Sequence, residues 1–189
     1  MKCLPFLIAL TIISTVELAS FTGCEDVGGP PPRIILNPGG PSIDGIHLGD
    51  SPEQVQRVLG PPERIGWADG IDRGWRLYGY GYNARERLVT LSVYFISLPG
   101  VEWGPADVIT VKSGYAGRTR DGLGIGSRRE RVRASLGIPI RSDPVDGLGH
   151  SYDYYCLGAI VMNIIFDHDT VKTLSLGPLV PDSTVPRCK

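Results

Sequence analysis

Apolar positions along this chain follow three patterns. Residues 4–16 form an apolar run behind Lys2, broken only by Pro5 and by polar Thr and Ser side chains. Two short stretches place apolar residues on one helical face, Val55, Val58 and Leu59 in the first and Val132 and Leu136 in the second. The remaining runs, rich in Val, Ile, Thr and Tyr, predict strands over 74–80, 88–96 and 107–112, then over 150–157, 159–166 and 171–176. The last two face each other across a short polar turn of Asp167, His168, Asp169 and Thr170.

The order of these patterns repeats. Residues 45–62 return as 122–139 at an offset of 77, matching Gly45 to Gly122, Gly49 to Gly126, Glu53 to Glu130, Val55 to Val132 and Leu59 to Leu136. Gly60 matches Gly137 and Pro62 matches Pro139 in the same register. Asp50 and Ser127 read as N-caps, with Glu53 and Glu130 three residues on as a capping box requires. Gly60 and Gly137 stand where a residue of positive φ closes a helix. Helices this short are marginal alone and need a sheet to pack on. The expected fold is α+β: two tandem repeats of a short capped helix followed by about three antiparallel strands, sharing one sheet with helices on one face. The expected organisation is a signal peptide over 1–23, a Pro/Gly-rich tether over 24–42, repeats over 43–112 and 113–180, and a tail over 181–189.

The ends change the picture most. The run over 4–16 is too short for an ordinary spanning helix, which needs about 20 residues. Ser20, Phe21, Thr22, Gly23 and Cys24 resemble the lipobox of bacterial lipoproteins, which implies a lipid on Cys24; an ordinary secretory signal is the alternative. In an oxidising compartment the two cysteines then left, Cys156 and Cys188, are expected to pair. The rival is Cys156 as a nucleophile beside His150, but no charged group is evident to complete a triad. With 19 Lys and Arg against 20 Asp and Glu, the net charge of -1 gives no basic excess to attract nucleic acid.

The pattern Gly-x-x-x-Gly-x-Ser/Arg-x-x-x-Val-x-x-x-Leu-Gly-x-Pro over 45–62 and 122–139, followed by Tyr-rich strands, resembles the BamE/SmpA-type outer-membrane lipoproteins. It is also similar to the β-lactamase inhibitory protein, in which two such units stand in tandem. The resemblance implies a non-catalytic protein. One of those families supports a membrane assembly machine, and the other plugs an enzyme's active site with its sheet.

Candidate chemistry is sparse. His47, His150 and His168 lack metal-ligand spacing, and Asp69 and Asp72 lack that of a calcium loop, so neither a metal nor a cofactor is expected. Gly122, Gly124 and Gly126 lead into Arg128, Arg129, Arg131 and Arg133, which makes Arg128 and Arg129 candidate anion ligands at a helix start. The spacing matches neither the dinucleotide nor the P-loop pattern. Tyr78, Tyr80 and Tyr82 alternate along one strand, Tyr152 and Tyr154 along another, and Trp103 sits in a long loop. These six are the candidate partner-binding residues, with core packing as the alternative. The expected function is that of a non-enzymatic lipoprotein anchored in the bacterial cell envelope, at the outer membrane rather than the inner. It would bind or scaffold an envelope protein. The alternatives are an inhibitor-like module against an extracytoplasmic enzyme and an anion or lipid-headgroup binder.

Overall fold

The computed structural model describes residues 33–37, 40–69, 74–85, 87–97, 103–144, 146–177 and 188. The expected signal peptide, the lipobox with Cys24, part of the tether and nearly all of the tail lie outside the described residues. The elements are β1 (Ile34–Ile35), β2 (Ser42–Ile43), β3 (Ile46–His47), α1 (Pro52–Leu59), β4 (Arg64–Asp69), β5 (Gly74–Asn83), β6 (Leu88–Ser97) and β7 (Ala106–Lys112). They continue as α2 (Arg129–Leu136), β8 (Arg141–Asp143), β9 (His150–Leu157), β10 (Ile160–Asp167) and β11 (Thr170–Leu176). Strands β4 to β11 form one antiparallel sheet in the order β4-β5-β6-β7-β11-β10-β9-β8, and β1 to β3 form a second, small one.

The expected α+β class is corrected by this architecture. The described chain is mostly β, two eight-residue helices against an eight-stranded and a three-stranded sheet, and not two units of one helix and three strands. The reason lies in elements that periodicity does not report. β4 carries an interior Gly66, and β8 is three residues long, so neither shows a strand's alternation in sequence. Within the stretch read as a tether, Ile34 is 2% exposed and belongs to the core, and β1 pairs with β2.

The 77-residue repeat spells a turn, a helix and a second turn. Gly45 and Gly122, Gly49 and Gly126, and Gly60 and Gly137 all have φ between 76° and 93°, where a Cβ is strained. The caps lie one residue later than expected. Ser51 caps α1, its Oγ accepting from the Gln54 amide while Gln54 Oε1 accepts from the Ser51 amide. Arg128 occupies the N-cap of α2 and makes no side-chain cap bond. Asp50 and Ser127 are engaged behind the helices, where Asp50 Oδ2 accepts from the His47 amide and Ser127 Oγ from the Gly124 amide.

Both helices lie on one face of the large sheet. Tyr78, Val93, Ile109, Leu176, Met162 and Tyr155 stand opposite one another across six strands, and all are buried. Val55 of α1, Val132 of α2 and Ile34, Ile43 and Ile46 of the small sheet join them in one core cluster. Full burial of such a side chain is worth about 1.5–3 kcal/mol, which offsets the instability of eight-residue helices. Tyr80 lies in the same core, where burial, and then its neighbour Tyr78, push its phenol up to about 12.

Candidate functional site: the face of the large sheet that bears neither helix

The other face carries neither helix. Its residues alternate with the core positions, and one row of direct cross-strand neighbours crosses all eight strands: Arg64, Gly79, Ser92, Thr110, Ser175, Asn163, Tyr154 and Arg141. The centre of this row is polar and closed to water, with Ser92 at 1%, Thr110 at 4%, Ser175 at 1% and Asn163 at 3% exposure. Thr110 Oγ1 and Ser175 Oγ lie 2.9 Å apart and share a hydrogen bond. Asn163 stands directly across from Tyr154, and its Oδ1 has no hydrogen-bond partner among the described residues. Buried polar atoms are nearly always paired, and an unpaired one costs about 1–3 kcal/mol.

Half-buried tyrosines flank this seam. Tyr94 stands two residues from Ser92 on β6, and Tyr152 and Tyr154 stand on β9. Burial, more than any other influence, holds the Tyr94 and Tyr154 phenols above their ordinary pKa. Tyr152 is tied down differently: its hydroxyl donates to Asp146 Oδ2 at 2.8 Å, which raises its pKa, while the His150 amide first and this bond second lower that of Asp146. Asp146 Oδ1 also accepts from the His150 and Leu148 amides, so the loop entering β9 is fixed by one carboxylate.

The six aromatic residues proposed from sequence do not form one surface. Tyr78 and Tyr80 are in the core, at 5% and 8% exposure, and are not available to a partner. Trp103 packs on that core, its ring 4.9 Å from Tyr78 and 5.5 Å from Phe95. Tyr82 follows Gly81, whose φ of 65° interrupts the alternation, and its ring lies 4.1 Å from the Arg64 guanidinium, across from Gly79. Tyr82, Tyr152 and Tyr154 therefore remain as surface candidates. Tyr94 and Asn163 escaped the sequence reading because a lone Tyr or Asn within an apolar run reads as packing.

The two arginines proposed as anion ligands part company. Arg128 lines a groove of about 750 Å³ with Arg118, Ser127, Glu130 and Arg131. Arg129 instead lies 4.2 Å from the Phe166 ring and donates to Ser151 Oγ beneath α2. The groove's other arginines hold the glycine-rich turn in place: Arg118 donates to the Gly122 carbonyl and Ser127 Oγ, and Arg131 to the Asp121 carbonyl. Cys156 and Cys188 form a disulfide, their Cα atoms 5.5 Å apart, which removes the nucleophile alternative. Among the described residues no cluster of three His, Cys, Asp or Glu could hold a metal, and no helix is long and apolar enough to cross a membrane.

No family model and no curated protein match the chain. Two solved structures are similar to it. A DUF4309 family protein (YjgB) of Bacillus subtilis shares 17% identity at a TM-score of 0.44, over 74% of this chain and 87% of that one. A protein of Streptococcus mutans described as a candidate beta-lactamase inhibitor shares 11% identity at a TM-score of 0.27, over 78% of this chain and 91% of that one. Neither is described as a BamE-type lipoprotein, and at these scores neither lends its description to this chain.

Proposed function

We propose that this chain is a protein-binding module of the bacterial cell envelope, held at the membrane by a lipid on Cys24, and that its partner docks on the face of the large sheet that bears neither helix. The observation that carries the docking surface is the set of half-buried tyrosines, Tyr94, Tyr152 and Tyr154, on the sheet face that bears neither helix. Half-buried tyrosines supply large contact area at low entropic cost. The anchor is supported by the sequence over 4–24. A short apolar run ending at a small residue and a cysteine is the address of a lipoprotein.

Photo-crosslinking residues placed at Tyr94 and Tyr152 in native membranes should capture one partner. The same residue at Arg57 on the exposed side of α1 should not. Tyr154→Ala should weaken that partner's binding at least about tenfold. Capture from Arg57 but not from the tyrosine positions would overturn the docking surface. Palmitate labelling that survives Cys24→Ala would overturn the anchor. A captured enzyme in fixed ratio identifies an inhibitor, and captured assembly-machine components identify a scaffold.

A further inference from the structure

The two ends of the large sheet are built differently. β8 is three residues long, and its Arg141 and Asp143 pair with each other at 2.6 Å, so that edge is short and charged. β4 is six residues long and has neither proline nor a register shift against β5. Ile65 and Trp67, 64% and 51% exposed, project from it on the helix-bearing side, opposite Tyr78 and Arg76. Glu63, just before the strand, is turned inward, its carboxylate accepting from the Gly81 and Tyr82 amides.

We propose that β4 pairs antiparallel with β4 of a second copy of this chain, continuing the sheet through a two-fold axis at Gly66. A two-fold perpendicular to a sheet keeps each face on its own side, so only registers centred on a residue are allowed. Centred on Gly66, Ile65 of each copy lies directly opposite Trp67 of the other, on the same face. The two apolar side chains left exposed on β4 thereby cover each other twice, as cross-strand aromatic and β-branched pairs do. Centred on Trp67, Ile65 would face Asp69 instead, so the strand's own sequence selects the first register. Gly66 suits the axis, because two larger side chains would meet there on the opposite face.

The test uses the full chain purified in detergent. Sedimentation should show a concentration-dependent dimer, and Ile65→Lys should raise its dissociation constant at least about tenfold while leaving the circular dichroism spectrum unchanged. Gly66→Cys should give a covalent dimer on mild oxidation. The parent and Val58→Cys, which carry the same other cysteines, should not. A monomer at every concentration would overturn the proposal. So would a dimer indifferent to Ile65→Lys that Gly66→Cys fails to cross-link, including one in which β4 is occupied by a strand of another protein. Ile65 is exposed, so its substitution leaves the core untouched. Should that variant still fail to fold, the Gly66→Cys cross-link decides alone.

Discussion

The half of the sheet over α1 and the half over α2 meet at β7 and β11, and they are fastened by different chemistry. On the first side Gln56 Nε2 of α1 donates to the Tyr78 hydroxyl at 2.6 Å, and the Tyr80 hydroxyl donates to the Gly60 carbonyl at the helix end. On the second side the residue 77 positions on from Gln56 is Arg133. Its Nε and Nη2 each lie 3.1 Å from the Asp153 carboxylate, which is fully buried and also accepts from Ser142 Oγ at 2.7 Å. Asp153 lies in the cross-strand row that runs from Tyr80 on β5 to Ser142 on β8, and it meets α2 with a carboxylate where Tyr78 meets α1 with a phenol. The second side also carries the disulfide from Cys156. Among the described residues α1 is tied to the sheet by neutral hydrogen bonds and α2 by an ion pair, and the second side adds a disulfide.

The largest test of that contrast is the disulfide. It closes a span of 32 residues and ties the C-terminal end of the chain to β9. By the chain-entropy argument, replacing both Cys156 and Cys188 with Ser should cost about 3–4 kcal/mol. Urea denaturation of the double variant measures it. Limited proteolysis should then cut after β11 first, and unchanged stability would mean that the second side owes nothing to its cross-link.

The ion pair comes next. Arg133→Met leaves the Asp153 carboxylate buried without its cation, which should cost about 3 kcal/mol, the low end for such a loss because Arg133 is itself partly exposed. Gln56→Leu removes one neutral hydrogen bond on the first side and should cost about 1 kcal/mol. Denaturant midpoints compared at equal m-value separate the two. Equal costs would dissolve the distinction between the sides.

Much of this was legible in the sequence, and the reason is local. The glycines of the repeat are needed for their φ values, so their spacing predicted two turns and a helix between them in each copy. Six strands were visible because their apolar residues are dense. β4 and β8 were not, because an edge strand buries little and so shows no alternation. The site was less visible than the fold. Tyr78 and Tyr82 obey the same i and i+2 arithmetic, yet Gly81 with its positive φ separates them, and a glycine's φ is not written in periodicity. The polar seam through Asn163 emerges only once its neighbours on β9 and β11 are known, since a cross-strand row is a property of register.

The smallest contrast lies at the helix starts. α1 has a reciprocal capping box, and Ser51→Ala should cost about 1 kcal/mol. α2 begins with Arg128, which offers no acceptor to the free amides and adds a cation where the helix dipole is already positive. Arg128→Ser supplies the missing acceptor at the position equivalent to Ser51, and it should stabilise the protein by about 0.5–1 kcal/mol. Thermal melts of the two variants should therefore move in opposite directions. An Arg128→Ser protein that melts below the parent would show that the arginine contributes more to the folded state than a cap would. The natural place to look for that contribution is the groove it lines with Arg118 and Arg131. A stabilised variant that still binds its envelope partner would instead mark α2 as a helix held by the sheet, through Asp153, rather than by its own ends.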